Sequence, residues 1–98
     1  MKRTAMAAQL PDEPRRMLLD IVLPQDQWGQ QMNFQLQCNL NDTIDDVKRQ
    51  LQAVIWKARG WSPKVSAFQF QQSGKHIPCM RPVTDLNPSL TVVCARTA

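Results

Sequence analysis

Hydrophobic residues along the chain change from a spacing of two to a spacing of three and four, and then return to two. A spacing of two places side chains on one face of a strand, whereas three and four place them on one face of a helix. The clearest alternation runs over positions 32–40, where apolar and polar residues follow each other without interruption. The pattern therefore predicts strands on both sides of one amphipathic helix.

The predicted helix runs from Ile44 to Arg59. Thr43 followed three residues later by Asp46 is typical of a capping box, and Gly60 is a residue that commonly ends a helix. The apolar residues of its inward face are Ile44, Val47, Leu51, Val54 and Ile55. A helix with one apolar stripe covers one face of a neighbouring layer.

Four further segments have strand patterns, at positions 17–23, 65–72, 75–77 and 90–95. Strands that precede and follow a single helix must share one sheet, which predicts a two-layer α+β domain. Residues 1–16 carry no usable periodicity, and we predict that they form a flexible N-terminal leader. The ordered domain is then expected to span residues 17–98.

Four motifs in this order resemble those of ubiquitin and the ubiquitin-like β-grasp domains. They are Asp42-Thr43-Ile44-x-x-Val47-Lys48-x-x-Leu51, Ser73-Gly74-Lys75-His76-Ile77, Val83-x-Asp85-Leu86 and Leu90-Thr91-Val92-Val93. The resemblance covers about residues 17–96. It implies a β-grasp fold, in which a mixed sheet of four or five strands packs on one long helix.

The resemblance also shapes the expected function. Conjugated members of that family close in Gly-Gly, whereas this chain reads Cys94-Ala95-Arg96-Thr97-Ala98 at the matching place. We therefore expect a non-enzymatic member that binds partner proteins, and keep a modifier with atypical tail processing as an alternative.

Family members commonly bind partners through the exposed face of the sheet. The resemblance also implies that the first and last strands are adjacent, which would make Leu18, Val22 and Val93 neighbours there. By alternation and by this resemblance, seven residues are predicted to contact a partner protein, with Trp28 as the hydrophobic tip of a loop. They are Leu18, Val22, Trp28, Gln69, Gln71, Thr91 and Val93. Trp56 and Trp61 are predicted to pack at the core.

A second hypothesis places the partner on a basic flank of the domain, formed by Lys48, Arg49 and Lys75 together with Arg81. The domain would then associate with itself or with a small GTPase, through this flank or through an edge strand. A solvated surface is the simpler interpretation of these charges, because exposed ion pairs contribute little.

The net charge of +4 permits acidic partners. No block of five basic residues forms, which argues against a dedicated nucleic-acid groove. No apolar run approaches the roughly 18–20 residues of a membrane span. We expect an intracellular protein, cytoplasmic or nuclear, and a monomer.

Three cysteines without C-x-x-C spacing indicate reduced thiols. His76 and Cys79 lie three residues apart and are the one pair that suggests nucleophilic catalysis or metal binding. The chain has a single histidine and no third ligand nearby. We therefore predict no catalytic site, no metal and no cofactor.

Overall fold

A computed structural model describes residues 16–97, in which one long helix packs on one face of a five-stranded sheet. The elements in chain order are β1 (Arg16–Leu23), α1 (Gln25–Trp28), β2 (Met32–Asn39), α2 (Ile44–Arg59), a 3-10 turn (Val65–Ala67), β3 (Phe68–Gln72), β4 (Lys75–His76), a second 3-10 turn (Val83–Asp85) and β5 (Val92–Arg96). The predicted leader lies outside the described residues except for Arg16, which is the first residue of β1.

The strands are ordered β2-β1-β5-β3-β4 across the sheet. The central strands β1 and β5 are parallel, with Val22 opposite Val93, and the other neighbouring strands are antiparallel. The predicted α+β architecture, a mixed sheet on one long helix, is confirmed.

Helix α2 has the bounds that its sequence predicts. The backbone N–H of Asp46 donates to the Thr43 hydroxyl at 3.3 Å, and the Thr43 N–H donates to the Asp46 carboxylate at 2.9 Å. At the other end Gly60 has φ 76°, and its N–H donates to the Trp56 carbonyl at 2.9 Å. These bonds satisfy backbone groups that the helix ends would otherwise leave unpaired.

The core lies between α2 and the inward face of the sheet. Its largest fully buried side chains include Phe68 and Phe70 of β3 together with Leu51 and Ile55 of α2. Apolar burial of this kind is the main favourable contribution to folding.

Two predicted strands begin later than expected. The N–H of Ala67 donates to the Lys64 carbonyl at 2.9 Å, which closes a 3-10 turn, so β3 begins at Phe68. Before β5 the buried side chain of Gln72 bonds the backbone of Asn87 and the carbonyl of Leu90. This clamp holds 87–90 as a turn, and Leu90, the first residue of the predicted strand at 90–95, is 44% exposed.

Trp28 is buried, and the prediction that it is an exposed loop tip for partner binding is wrong. Strand β1 ends at Leu23, so the last residues of β5 lose their neighbour on that side. There the indole N–H of Trp28 donates to the Cys94 carbonyl at 2.8 Å, and the amide oxygen of Gln27 accepts from the Arg96 N–H at 2.8 Å. The short helix α1 therefore caps the open edge of β5.

The predictions for the other tryptophans are also wrong. Trp56 is 63% exposed, because one residue beyond the buried Ile55 lies about 100° further around the helix. Trp61, which follows the end of α2, is 38% exposed. Both indoles lie at the surface of the domain.

Candidate functional site

Five side chains form one row across the exposed face of the sheet, one from each strand. Val22 lies opposite Asn33 on β2 and opposite Val93 on β5, and Gln71 lies opposite both Val93 and His76. The predicted adjacency of Val22 and Val93 is confirmed. Asn33 and His76 were not predicted, because their place in the row depends on strand register.

We call Leu18, Val22 and Val93 the sheet-face patch. Leu18 is 52% exposed and shares the outward face of β1 with Val22, while both valines are half-buried. Alternation on β1 keeps these side chains away from the core, since Leu19, Ile21 and Leu23 are buried on the other face. The sequence predicted this division of β1 correctly.

Polar side chains around the sheet-face patch are hydrogen-bonded to one another. The pairs are Arg16–Gln37 at 3.1 Å, Gln35–Asp20 at 3.2 Å and Gln71–Gln69 at 3.2 Å. When a partner covers these groups, each of them already has a hydrogen bond within the domain. Their desolvation is therefore less costly than that of unpaired groups.

Beside the patch lies a shallow concavity with a volume of about 540 Å³. Asp20, Val22, Asn33, Gln35 and Thr91 contribute to its lining, and Asp20 is its one charged lining residue. Thr91, predicted to lie in the last strand, immediately precedes β5 and is exposed. The face therefore combines a small apolar patch with one negative group.

The predicted basic flank does not form a continuous surface. Lys48 is only 7% exposed, and its Nζ lies 5.7 Å from the centroid of the Phe70 ring, so the prediction that it is a surface contact is wrong. Arg49 is exposed and pairs with Asp45 at 2.8 Å, and this hydrogen-bonded partner raises the pKa of the Arg49 guanidinium. Lys75 is exposed on β4 and does not line the pocket that Lys48 and Arg49 share.

His76 and Cys79, the pair considered for catalysis, lie in different places. His76 ends the row on the exposed sheet face, whereas Cys79 lines a pocket of about 320 Å³ beside Lys48 and Arg49. Within residues 16–97, no group of three or more His, Cys, Asp or Glu side chains is placed to hold a metal ion. The described residues give this pair no thiol–imidazole geometry.

The three thiols differ in burial. Cys38 and Cys94 are buried in the core, and Cys79 is exposed. Burial raises the pKa of Cys38 from 9.0 to about 11 and that of Cys94 to about 12. The nearby carboxylate of Asp42 acts in the same direction on Cys38. Both buried thiols stay protonated when the domain is folded at neutral pH.

At pH 8 we expect a disulfide reagent to modify Cys79 rapidly and the two buried thiols only after denaturant is added. Because the folded-state pKa values are raised, the unfolded chain releases its thiol protons first. The contribution of these two protonated thiols to the free energy of unfolding is complete below pH 9.0. It is lost as the pH rises from 9.0 to about 12. Thiol titration of wild type and Cys79→Ser tests the first point, and urea unfolding at rising pH tests the second. Two rapidly modified thiols in the folded wild type would contradict the assignment.

Comparisons with known proteins show the fold. No family model matches the sequence, and no curated protein matches it. A solution structure of an Arabidopsis thaliana protein covers 91% of this chain and 95% of its own, with TM-score 0.59 and 12% identity. The C-terminal ubiquitin-like domain of mouse tubulin-specific chaperone e covers 89% and 92%, with TM-score 0.52 and 14% identity.

The N-terminal ubiquitin-like domain of another protein covers 97% of this chain and 92% of its own, with TM-score 0.53 and 14% identity. These likenesses confirm the ubiquitin-like β-grasp fold that the motifs implied. Across the described residues, no helix has both the length and the apolar character needed to cross a membrane.

Proposed function

We propose that this domain is a non-enzymatic protein-interaction module that binds a partner protein through the sheet-face patch. The observation that supports the proposal is the parallel pairing of β1 and β5, which brings Val22 and Val93 together on an exposed face that also carries Leu18. Neighbouring apolar side chains on a wet face, such as Val22 and Val93, are typical of interaction sites. Single exposed apolar residues would carry no such meaning.

The surroundings of the patch define which partner fits. Covering Leu18, Val22 and Val93 with apolar side chains contributes roughly 25 cal/mol for each Å² removed from water, against which the entropic cost of association is set. Asp20 in the neighbouring concavity favours a partner group that is positively charged or donates a hydrogen bond. Gln69, Gln71 and Thr91 then form the polar rim of the interface.

We expect Val93→Asp to weaken partner binding at least about thirtyfold, which corresponds to roughly 2 kcal/mol at an interface anchor. The substitution places an unpaired carboxylate directly beside Val22 in the patch. Gln25→Asp is the matched control, since it adds the same charge at an exposed position of α1. Partners captured by the wild-type domain are identified, and their affinities are measured by titration calorimetry against both variants.

Thermal unfolding of both variants ensures that only folded protein is compared. The proposal fails if Val93→Asp is folded and its affinity equals that of Gln25→Asp for every captured partner. It also fails if Leu18→Asp leaves all of these affinities unchanged.

A further inference from the structure

Charge is distributed unevenly along the chain. From Val47 to Thr84 there are seven lysines and arginines and no aspartate or glutamate. The basic residues are Lys48, Arg49, Lys57, Arg59, Lys64, Lys75 and Arg81. Among residues 16–97, ion pairs join Arg49 to Asp45 and Arg81 to Asp85, and the acidic partners lie just outside this stretch. The rest of the stretch is left with uncompensated positive charge.

Two exposed tryptophans lie within this basic stretch, at the C-terminal end of α2. Trp56 is 63% exposed and Trp61 is 38% exposed. The amide of Gln52 donates to the Pro63 carbonyl at 3.0 Å, which holds the segment after the helix against the side of α2. Gln52 and Trp56 are four residues apart and so occupy the same side of the helix. Trp56 and the segment that carries Trp61 therefore lie along one flank of the domain.

Three cations lie next to these indoles in the sequence, between positions 57 and 64. Lys57, Arg59 and Lys64 are all exposed, and Arg59 reaches the side chain of Gln30 at 3.4 Å. We call these three residues, with Trp56 and Trp61, the helix-end patch. Helix α2 covers the inward face of the sheet, so this patch is separate from the sheet-face patch on the outward face.

We propose that the helix-end patch is a second binding surface and that it takes an acidic segment of a protein partner. Carboxylates of that segment pair with Lys57, Arg59 and Lys64, while an apolar side chain packs against Trp56 and Trp61. Tryptophan and arginine are the residues most enriched at interface anchors, and complementary charge gives such an interface its specificity. The proposal is independent of the function assigned to the sheet face.

The geometry favours an acidic protein segment over other anions. The helix-end patch has three cations, fewer than a groove that follows successive phosphates of a nucleic acid uses. A protein segment with a few carboxylates and one apolar side chain is chemically complementary to the three cations and two indoles of the helix-end patch.

The test is selection of a random dodecapeptide phage library on the wild-type domain, followed by fluorescence anisotropy of the selected peptides. We expect one group of peptides to be enriched in aspartate and glutamate. Their affinity should fall at least tenfold with Trp56→Ala and with the double variant Lys57→Glu, Lys64→Glu. It should also fall with added salt, and it should not change with Val93→Asp.

Trp56→Phe is the conservative control and should retain most of the affinity, because it keeps an aromatic surface. The exposed position of Trp56 means that the thermal midpoint of Trp56→Ala should match that of the wild type. The inference is overturned if no selected peptide depends on Trp56, or if those that do are not acidic. It is also overturned if a dT20 oligonucleotide or phosphatidylserine vesicles bind through Trp56 more tightly than every selected peptide.

Discussion

Trp28→Ala is expected to lower the free energy of unfolding by about 3–5 kcal/mol, the range for removing a large aromatic side chain from a core. The indole is 6% exposed, and its ring lies 5.6 Å from that of Phe68 and 5.3 Å from the Arg96 guanidinium. The substitution empties this space and also leaves the Cys94 carbonyl without its donor. Urea unfolding followed by circular dichroism measures the loss.

Two controls separate the contributions of the ring and of its hydrogen bond. Trp28→Phe keeps an aromatic ring but leaves the buried Cys94 carbonyl unpaired, so we expect a smaller loss of about 1–3 kcal/mol. Trp56→Ala removes the same type of side chain from an exposed position and should change stability by no more than about 0.5 kcal/mol. Equal losses for Trp28→Ala and Trp56→Ala would contradict the edge-capping role of α1.

This role connects α1 to the sheet-face patch. The Trp28 indole bonds the carbonyl of Cys94, the residue that follows Val93 in β5. The sequence suggested that Trp28 contacts a partner. In the structure it is buried and supports the strand that presents Val93. A tryptophan in a loop is a good interface candidate only when no neighbouring strand edge needs a donor.

The fold could be predicted because its signals are local. Alternation over two residues defined β1 and β2, and the cap at Thr43 together with Gly60 defined both ends of α2. Such patterns are imposed by side-chain direction in strands and helices and need no knowledge of distant residues. The order of these elements then limited the domain to a sheet covered by one helix.

The candidate site was only partly predictable because it depends on long-range pairing. The adjacency of Val22 and Val93 came from a family resemblance, and nothing in the local pattern of β1 indicates that β5 lies beside it. The burial of Trp28 follows from β1 ending earlier than its parallel neighbour, and the clamp from Gln72 decides where β5 begins. By contrast, the exposure of Trp56 could have been predicted from the sequence, since its angular position on the helix lies outside the apolar stripe.

Lys48→Glu is expected to lower the free energy of unfolding by about 3–5 kcal/mol, as for a buried charge without compensation. The Lys48 side chain is 7% exposed, and its ammonium lies over the face of Phe70, where the ring quadrupole attracts a cation. A carboxylate in that place is repelled by the same ring face. In the described part of the chain, no ion pair involves Lys48.

Lys48→Met is the matched control, because it fills a similar volume without a charge and should change stability by less than about 1.5 kcal/mol. Unfolding in urea compares both variants with Arg49→Glu, whose side chain is exposed and should have the smaller effect of the two charge reversals. If the basic flank is tested with Lys48→Glu, a loss of binding would therefore reflect unfolding of the domain. With Arg49→Glu, a loss of binding would reflect the loss of a surface contact. If Lys48→Glu is as stable as the wild type, the lysine side chain lies in solvent, and the basic flank regains Lys48 as a surface contact.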